Sequence, residues 1–116
     1  MAKDDYDVIV CKVLVFFYRR LKGKIPDDEA ASYLNPVTKQ LPVSEDYLNA
    51  VIMDLIDLGF IADAEVNRAW GGDIMNIDTR RARITLKGVE YLRDNSKMRK
   101  IAEVIKEAES IWSLFC

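Results

Sequence analysis

Two segments of the chain decide the fold that its sequence predicts: residues 44–61, SEDYLNAVIMDLIDLGFI, and residues 84–92, ITLKGVEYL. In the first segment a serine suited to a helix N-cap precedes apolar residues at helical spacing, and Gly59 ends the pattern. The apolar positions are Leu48, Val51, Ile52, Leu55 and Ile56. The second segment opens another helix at Thr85. We therefore predict a helix over residues 44–58 and a further helix from residue 85.

The region between these helices has the pattern of a long β-hairpin. Residues 60–66 partly alternate in polarity, residues 71 and 72 are a Gly-Gly turn signal, and residues 73–84 form a second extended stretch. A two-residue turn there sets three cross-strand pairs: Val66 with Ile77, Asp63 with Arg80, and Glu65 with Asp78. The first two pairs are favourable, but the third brings two carboxylates together, so we also expect a bulge.

Three more helices are predicted: Asp4–Lys22, which is apolar almost all round, the short Asp27–Leu34, and Lys97–Phe115 after a break near Asn95. A helix pair joined by a turn and followed by a hairpin is typical of a winged helix-turn-helix. We therefore predict an α+β, mainly helical fold. Residues 1–95 form a winged-helix domain with the long hairpin as its wing. Residues 96–116 add a C-terminal helix that packs on the first helix or on a partner chain, so that the whole is a single domain.

Residues 55–61, LIDLGFI, are similar to the helix-to-wing junction of winged-helix proteins, and residues 84–92 are similar to their wing-to-helix exit. The continuation over residues 91–98, YLRDNSKM, resembles the YjcQ-like family, small proteins of bacteria and their phages with no established activity. The resemblance covers roughly residues 44–107. It implies a winged helix, a phage or mobile-element origin, and no catalytic residues to carry over to this chain.

Composition excludes several classes of chemistry. The 116 residues include no histidine and two cysteines, so the chain cannot build an imidazole base, a Ser-His or Cys-His pair, or a four-cysteine zinc site. The sequence also has no nucleophile elbow, phosphate-cradling glycine loop or metal-ligand cluster. We predict that the protein is not an enzyme, that it uses no cofactor or metal, and that it has no small-molecule substrate.

The longest apolar run, Val8 to Tyr18, is far shorter than the roughly 20 residues that a membrane-spanning helix needs. Three aspartates precede it, where a signal peptide would carry positive charge. Cys11 lies within the apolar run and Cys116 at the end of the sequence, so both are expected to be free thiols in a reducing compartment. These observations predict a cytoplasmic protein without membrane contact.

The helix predicted over residues 44–58, called the acidic helix below, holds the position of the DNA-reading helix in a winged helix. It contains four acidic residues and no lysine or arginine, and residues 27–58 together have a net charge of −6. Double-stranded DNA carries about one negative charge per 1.7 Å of its axis, so this helix is predicted to be repelled. An alternative without any function is that the acids keep an exposed helix face hydrated.

The apolar stripe of the acidic helix also indicates which of its residues point outward. These are Asp46, Asn49, Ala50, Met53, Asp54 and Asp57. Asn49 is a candidate for contact with an adenine edge. Asp46, Met53, Asp54 and Asp57 are candidates for contact with a protein partner.

The charge of the hairpin, in contrast, favours DNA binding. Residues 67–88 have a net charge of +3, and an arginine on a wing can enter the minor groove of DNA. The candidate nucleic-acid contacts here are Arg68, Arg80, Arg81, Arg83 and Lys87. The structural alternative is that Arg80 pairs with Asp63 and that Arg83 covers the junction between helix and hairpin.

Trp70 is the least expected residue of the hairpin. A tryptophan beside the Gly-Gly turn cannot easily reach the core of its own domain, and exposed aromatic residues are enriched at interaction hot spots. We count Trp70 among the candidate protein contacts. The alternative is that its ring folds back on Ile74 or Met75, or fills a groove of a neighbouring molecule.

The predicted C-terminal helix carries a continuous apolar seam at alternating spacings of three and four. Its main positions are Met98, Ile101, Ile105, Trp112 and Phe115. This seam could cover the first helix of its own chain or join two chains. We expect a homodimer, because a seam without a partner would leave several large apolar residues at a fraying helix end.

Two functions follow from these observations. The first is a dimeric protein-interaction module that uses the acidic helix and Trp70. The second is a DNA-binding transcription regulator that contacts DNA through its basic wing. The predicted fold alone favours DNA, but the charge of the acidic helix opposes it, and we therefore expect a protein partner.

Overall fold

The computed structural model of the chain describes residues 5–23 and 42–104. The elements follow in the order α1 (Tyr6–Leu21), α2 (Glu45–Asp57), β1 (Ile61–Ala62), β2 (Glu65–Arg68), β3 (Ile74–Asp78), β4 (Arg83–Ile84), α3 (Leu86–Asp94) and α4 (Ser96–Val104). This mixture of helices and small antiparallel sheets agrees with the α+β, mainly helical prediction. The predicted helix Asp27–Leu34 and residues 105–116 lie outside the described residues. Within the described part, no helix combines the length and apolarity that crossing a membrane requires.

Helix α1 forms the centre of the hydrophobic core. Nine of its residues are buried, namely Val8, Ile9, Val10, Cys11, Val13, Leu14, Val15, Phe16 and Phe17. They are covered by α2, β4, α3 and α4, all of which pack against α1. The burial of α1 along most of its length agrees with its almost entirely apolar sequence. Lys97 of α4 adds an ion pair with Asp7 of α1, with Nζ 2.6 Å from Oδ2.

The acidic helix, α2, begins and ends where its sequence predicts. The Ser44 hydroxyl accepts a hydrogen bond from the Tyr47 amide at 3.2 Å, as an N-cap does. Gly59 follows the helix with φ +78°. Its amide donates to the Ile56 carbonyl at 3.0 Å, while the next amide, of Phe60, donates to Leu55 at 2.9 Å. These two bonds form a Schellman motif, which requires the left-handed backbone that glycine adopts at no cost.

The strands form one long hairpin that is interrupted at its middle. At the base, β1 pairs with β4, with Ile61 opposite Ile84. Further out, β2 pairs with β3, with Val66 opposite Ile77 and Glu65 opposite Asp78, as predicted. Between the two sheets, residues 79–82 lie opposite only residues 63 and 64, and the Ala82 amide closes a turn on the Thr79 carbonyl at 3.2 Å.

This interruption overturns one predicted pair. Arg80 does not face Asp63, because the two extra residues of the turn shift the register at the base of the hairpin. Arg83, which lies opposite Ala62 on the hairpin, forms the ion pair with Asp63 instead, with Nε 3.0 Å from Oδ2. Asp63 itself has φ +65°, a left-handed conformation that aspartate tolerates better than most residues.

The tip of the hairpin is one residue longer than the predicted Gly-Gly turn. The Ala69 amide donates to the Asp73 carbonyl at 2.7 Å, so the loop consists of Trp70, Gly71 and Gly72. Both glycines have φ near +90°, which a side chain would oppose. The expected bulge lies beside the tip, where β3 carries Met75 as an extra residue. The longer loop and the bulge compensate, which is why the predicted register holds from Glu65 to Asn67.

Helices α3 and α4 follow the hairpin with capped ends. The Thr85 hydroxyl accepts from the Gly88 amide at 3.1 Å and donates to the Gly59 carbonyl at 2.6 Å, so one side chain ties α3 to the end of α2. A β-carbon at Gly88 would lie 2.4 Å from the Phe60 carbonyl oxygen, so no larger residue fits. The Asn95 side chain caps α4 by accepting from the Met98 amide at 3.0 Å, which confirms the break predicted near Asn95.

Candidate interaction surfaces

The outer face of the acidic helix consists largely of carboxylates. Asp46, Asp54 and Asp57 are exposed, and Asn49 and Met53 are half-buried. The opposite face is buried in the core through Leu48, Val51, Ile52 and Leu55. Asp46, Ala50, Asp54 and Asp57 are thus exposed as the apolar spacing predicts, whereas the predicted outward residues Asn49 and Met53, and Ile56 of the predicted buried stripe, are half-buried. Because the sequence has no lysine or arginine between residues 44 and 58, no cation of the helix itself offsets these charges.

Asp54 differs from the other acids of this face because it has a partner on α1. The Tyr6 hydroxyl donates a hydrogen bond to Oδ2 of Asp54, and the Tyr6 and Tyr47 rings lie 6.4 Å apart. Partial burial, and then this hydrogen bond to a carboxylate, raise the pKa of Tyr6 to about 12. Asp54 thus helps to fix α1 against α2. Asp46 and Asp57 form no ion pair with any described residue. Their negative charges are therefore not neutralised within the described part of the chain.

Two of the five basic residues that were candidates for nucleic-acid contact are already paired within the hairpin. Arg80 binds the Asp78 carboxylate through Nε and Nη2, the shorter contact being 2.7 Å. The hydrogen bonds from Arg80 lower the pKa of Asp78 to about 2. Arg83 is paired with Asp63. Both pairs are exposed, and such pairs contribute little stability, but they neutralise charge on the face that would meet DNA.

The other three basic residues, Arg68, Arg81 and Lys87, each have different surroundings. Arg68 donates to the Gly72 carbonyl at 2.9 Å and braces the tip, and the Lys87 ammonium lies 5.8 Å from the centre of the Phe60 ring. Arg81 is exposed and has no hydrogen-bond or ion-pair partner among the described residues. Counted over residues 61–84, four arginines meet four acidic residues. The hairpin as a whole is therefore neutral.

A cleft of about 320 Å³ lies at the interruption of the hairpin, and it is lined by Asp63, Glu65, Asp78, Arg80 and Arg81. Its lining mixes both signs of charge and contains no hydroxyl or thiol nucleophile. Throughout residues 5–23 and 42–104, no group of three or more histidine, cysteine or acidic residues is placed to hold a metal ion. The chemistry available on this surface is thus ion pairing and hydrogen bonding.

Sequence reasoning did not identify Arg20, which positions the wing arginines. Its guanidinium Nη2 donates to the backbone carbonyls of Thr79 at 2.9 Å and Arg80 at 3.1 Å, and also to that of Ala82. The same group lies over the core rings, 5.4 Å from the centre of Phe17. From sequence alone Arg20 marks only the basic end of α1, because its partners lie about 60 residues further along the chain.

Trp70 is fully exposed at the tip of the hairpin, with a relative exposure of 102%. Its ring therefore does not fold back on Ile74 or on any other residue of the hairpin, which removes the first part of the alternative considered for it. The surrounding turn is rigidly bonded through Ala69, Gly72 and Asp73. The hairpin tip thus exposes a large aromatic side chain on a hydrogen-bonded turn, away from the hydrophobic core.

The start of the predicted dimer seam is used within the chain. Met98 and Ile101 are completely buried, in a helix that packs on α1 and α3. These two residues are therefore not available to a second chain, and for them the dimer-seam prediction is replaced by the alternative of an intrachain cover. Ile105, Trp112 and Phe115 lie outside the described residues.

Comparison with known proteins adds one finding to this geometry. A family model described as "YjcQ protein" matches residues 20–111, so the chain belongs to the YjcQ family, as the resemblance predicted. No curated protein and no solved structure matches the chain.

Proposed function

We propose that this member of the YjcQ family is a non-enzymatic winged-helix protein that binds a protein partner through its acidic helix. The observation that carries the proposal is the outer face of α2, where Asp46 and Asp57 are exposed and no basic residue lies between positions 44 and 58. A protein surface with lysines or arginines complements such a face, whereas a DNA groove repels it.

The winged-helix assignment rests on the connection of the elements around this face. The acidic helix leads directly into β1, and the returning strand β4 leads directly into α3. In this assignment α2 is the helix that would enter a groove, and the hairpin is the wing. The side chain of Thr85 joins the end of α2 to the start of α3, which keeps the two at a defined angle.

The proposal includes a cytoplasmic location and a homodimer. Cys11 is buried in the core and forms no disulfide, and a thiol in such a position behaves as a small apolar residue. The dimer no longer depends on Met98 and Ile101, which are buried within the chain.

One observation favours the second candidate, a DNA-binding regulator that holds DNA through its wing. Arg81 is exposed beside Arg80, and it forms no direct ion pair with a described carboxylate, although it lines the same cleft as Asp63, Glu65 and Asp78. An arginine in this position could contact a phosphate or a minor groove. The neutral charge of the hairpin as a whole makes this the weaker candidate.

Fluorescence anisotropy with a mixed pool of labelled duplexes separates the two functions. We expect the wild-type protein to show no binding at about 50 mM salt, where phosphate contacts are strongest. Binding that falls steeply towards about 200 mM salt, and that is lost in an Arg80→Ala/Arg81→Ala variant, would establish the wing as a DNA contact and overturn the proposal. An Arg93→Ala/Arg99→Ala variant has the same net charge and serves as the control.

A further inference from the structure

The long hairpin consists of two separately bonded pieces. β1 and β4 form one two-stranded sheet, and β2 and β3 form another. Residues 63–64 connect the two sheets on one side and residues 79–82 on the other, and no backbone hydrogen bond joins these two connections to each other. In an unbroken antiparallel ladder such bonds would fix one sheet on the next. Residues 65–78, called the distal arm below, are therefore not fixed to the base of the hairpin by a continuous ladder.

The distal arm is well bonded within itself. Its strands pair along residues 65–68, and the Ala69 amide closes the tip by donating to the Asp73 carbonyl at 2.7 Å. Since each strand residue adds roughly 3.3 Å, the arm extends about 15–20 Å from its base to Trp70. A small rotation at the base would therefore move Trp70 by several ångströms while the arm itself stays intact.

The two connections give little resistance of their own to such a rotation. The ion pair between Asp63 and Arg83 is exposed on both sides, and exposed pairs contribute little. The bond from the Ala82 amide to the Thr79 carbonyl lies within one connection and does not reach the other. The cleft of about 320 Å³ lies at the same place, so the arm has room to turn.

Arg20 of α1 joins the returning connection to the core. Its Nη2 donates to three backbone carbonyls of the turn, to Thr79 at 2.9 Å, to Arg80 at 3.1 Å and also to Ala82. The guanidinium itself lies 5.4 Å from the centre of the Phe17 ring, which is buried. Because hydrogen bonds depend on direction, these acceptors favour one orientation of the turn relative to α1.

A second contact between the distal arm and the rest of the molecule is apolar. β3 packs against the acidic helix, and Ile77 is half-buried against the hydrophobic core. Apolar contacts are not directional. They draw the arm towards α2, but they do not select one angle for it, and the hydrogen bonds of Arg20 do.

We propose that the distal arm is a rigid unit that turns on residues 63–64 and 79–82, and that Arg20 holds it in one orientation. Trp70 lies at the end of the arm, so Arg20 sets the distance between Trp70 and the acidic helix. A partner that contacts both surfaces meets them at one separation while the bonds of Arg20 are intact. This inference goes beyond the proposed function and holds whether the acidic helix binds a protein or not.

Pulsed electron paramagnetic resonance measures this orientation as a distribution of distances between two spin labels. Asp73→Cys places one label on the arm and Glu90→Cys places the other on α3, both at exposed positions, in a chain that also carries Cys116→Ser. Cys11 is completely buried and stays unlabelled. We expect one narrow distribution when Arg20 is present. Arg20→Met should broaden or shift it by several ångströms.

Three controls distinguish a released arm from a loosened fold. Arg81→Met changes an exposed arginine of the same turn and should leave the distribution narrow. Labels on two helices, at Glu45→Cys and Glu90→Cys, should give the same narrow distribution with and without Arg20→Met. Hydrogen exchange along β2 and β3 should be unchanged in Arg20→Met, because the ladder of the arm does not depend on Arg20.

Four results would overturn the inference: a distribution that Arg20→Met leaves unchanged, a broad distribution when Arg20 is present, equal broadening between the two helices, or faster exchange along β2 and β3. The first shows that Arg20 does not hold the arm, and the second that the arm has no single orientation. The third and fourth show that the arm does not move as a separate unit. None of them bears on the DNA-binding test of the proposed function, which stands or fails separately.

Discussion

The acidic helix and the hairpin are neighbours in sequence, but they hold their charges in opposite ways. On α2, Asp46 and Asp57 are exposed without a cation on the same helix. On the hairpin, four arginines balance four acids, and two of the arginines form ion pairs. Counting only the basic residues of the sequence therefore overstates the positive charge of the hairpin surface. The helix is therefore the region with the larger net charge of the two.

The acidic helix and the hairpin are also fixed in the fold by different kinds of interaction. The acidic helix is fixed by burial of one apolar face, which includes Leu55. The hairpin reaches away from that core, and its base is fixed by polar contacts from Arg20 and Thr85. Changes on the buried face of α2 should therefore affect folding most, changes at the hairpin base less, and changes at the hairpin tip not at all.

The largest effect is expected from truncating the buried face of the acidic helix. Leu55→Ala should lower the free energy of unfolding by about 2–5 kcal/mol, because it removes buried methyl groups and leaves a cavity. Trp70→Ala should leave that free energy unchanged, since the ring is exposed. Urea unfolding followed by circular dichroism, at a concentration where the chain is monomeric, measures both. A similar loss in the two variants would show that the hairpin tip belongs to the folded core.

A smaller effect is expected at the base of the hairpin. Arg20→Met keeps most of the aliphatic side chain but leaves three backbone carbonyls without their donor. We expect a loss of about 1–3 kcal/mol in the free energy of unfolding. Faster hydrogen exchange should be confined to residues 79–84 and their strand partners. Arg81→Met, on an exposed arginine of the same turn, is the control and should change neither quantity.

The smallest effect concerns the contact between Tyr6 and Asp54. Because the folded protein raises the pKa of Tyr6 from 10.0 to about 12, the neutral hydroxyl stabilises the fold fully below pH 10. That stabilisation is lost as the pH rises from 10 towards 12. Tyr6→Phe should cost roughly 1 kcal/mol near neutral pH and remove this part of the alkaline decline. Thermal unfolding of both proteins between pH 8 and 11 would show it; parallel curves would contradict the contact.

Local signals in the sequence predicted much of the fold. Ser44, Gly59, Thr85 and Asn95 bound the helices as expected, because caps act over three or four residues and are visible in sequence. The register at Val66 and Ile77 was also predicted, although the turn has three residues, since the extra Met75 compensates for the longer loop.

Contacts between distant segments were not predictable. The turn at residues 79–82 moved Arg80 away from Asp63, and nothing in the local pattern marks the two added residues. Arg20 binds carbonyls about 60 residues away, and backbone acceptors leave no trace in sequence. For Met98 and Ile101, helical spacing identified an apolar seam correctly, but spacing does not say whether the same chain covers it.

The most direct test of the account reverses the charge of the acidic helix. If α2 holds the reading position of a winged helix and its acids prevent DNA binding, an Asp46→Lys/Asp57→Lys variant should bind mixed duplex DNA with a strong salt dependence. A Glu90→Lys/Asp94→Lys variant has the same net charge but changes α3, and it should not bind. Equal binding by both variants, or binding by the unmodified protein, would contradict the account.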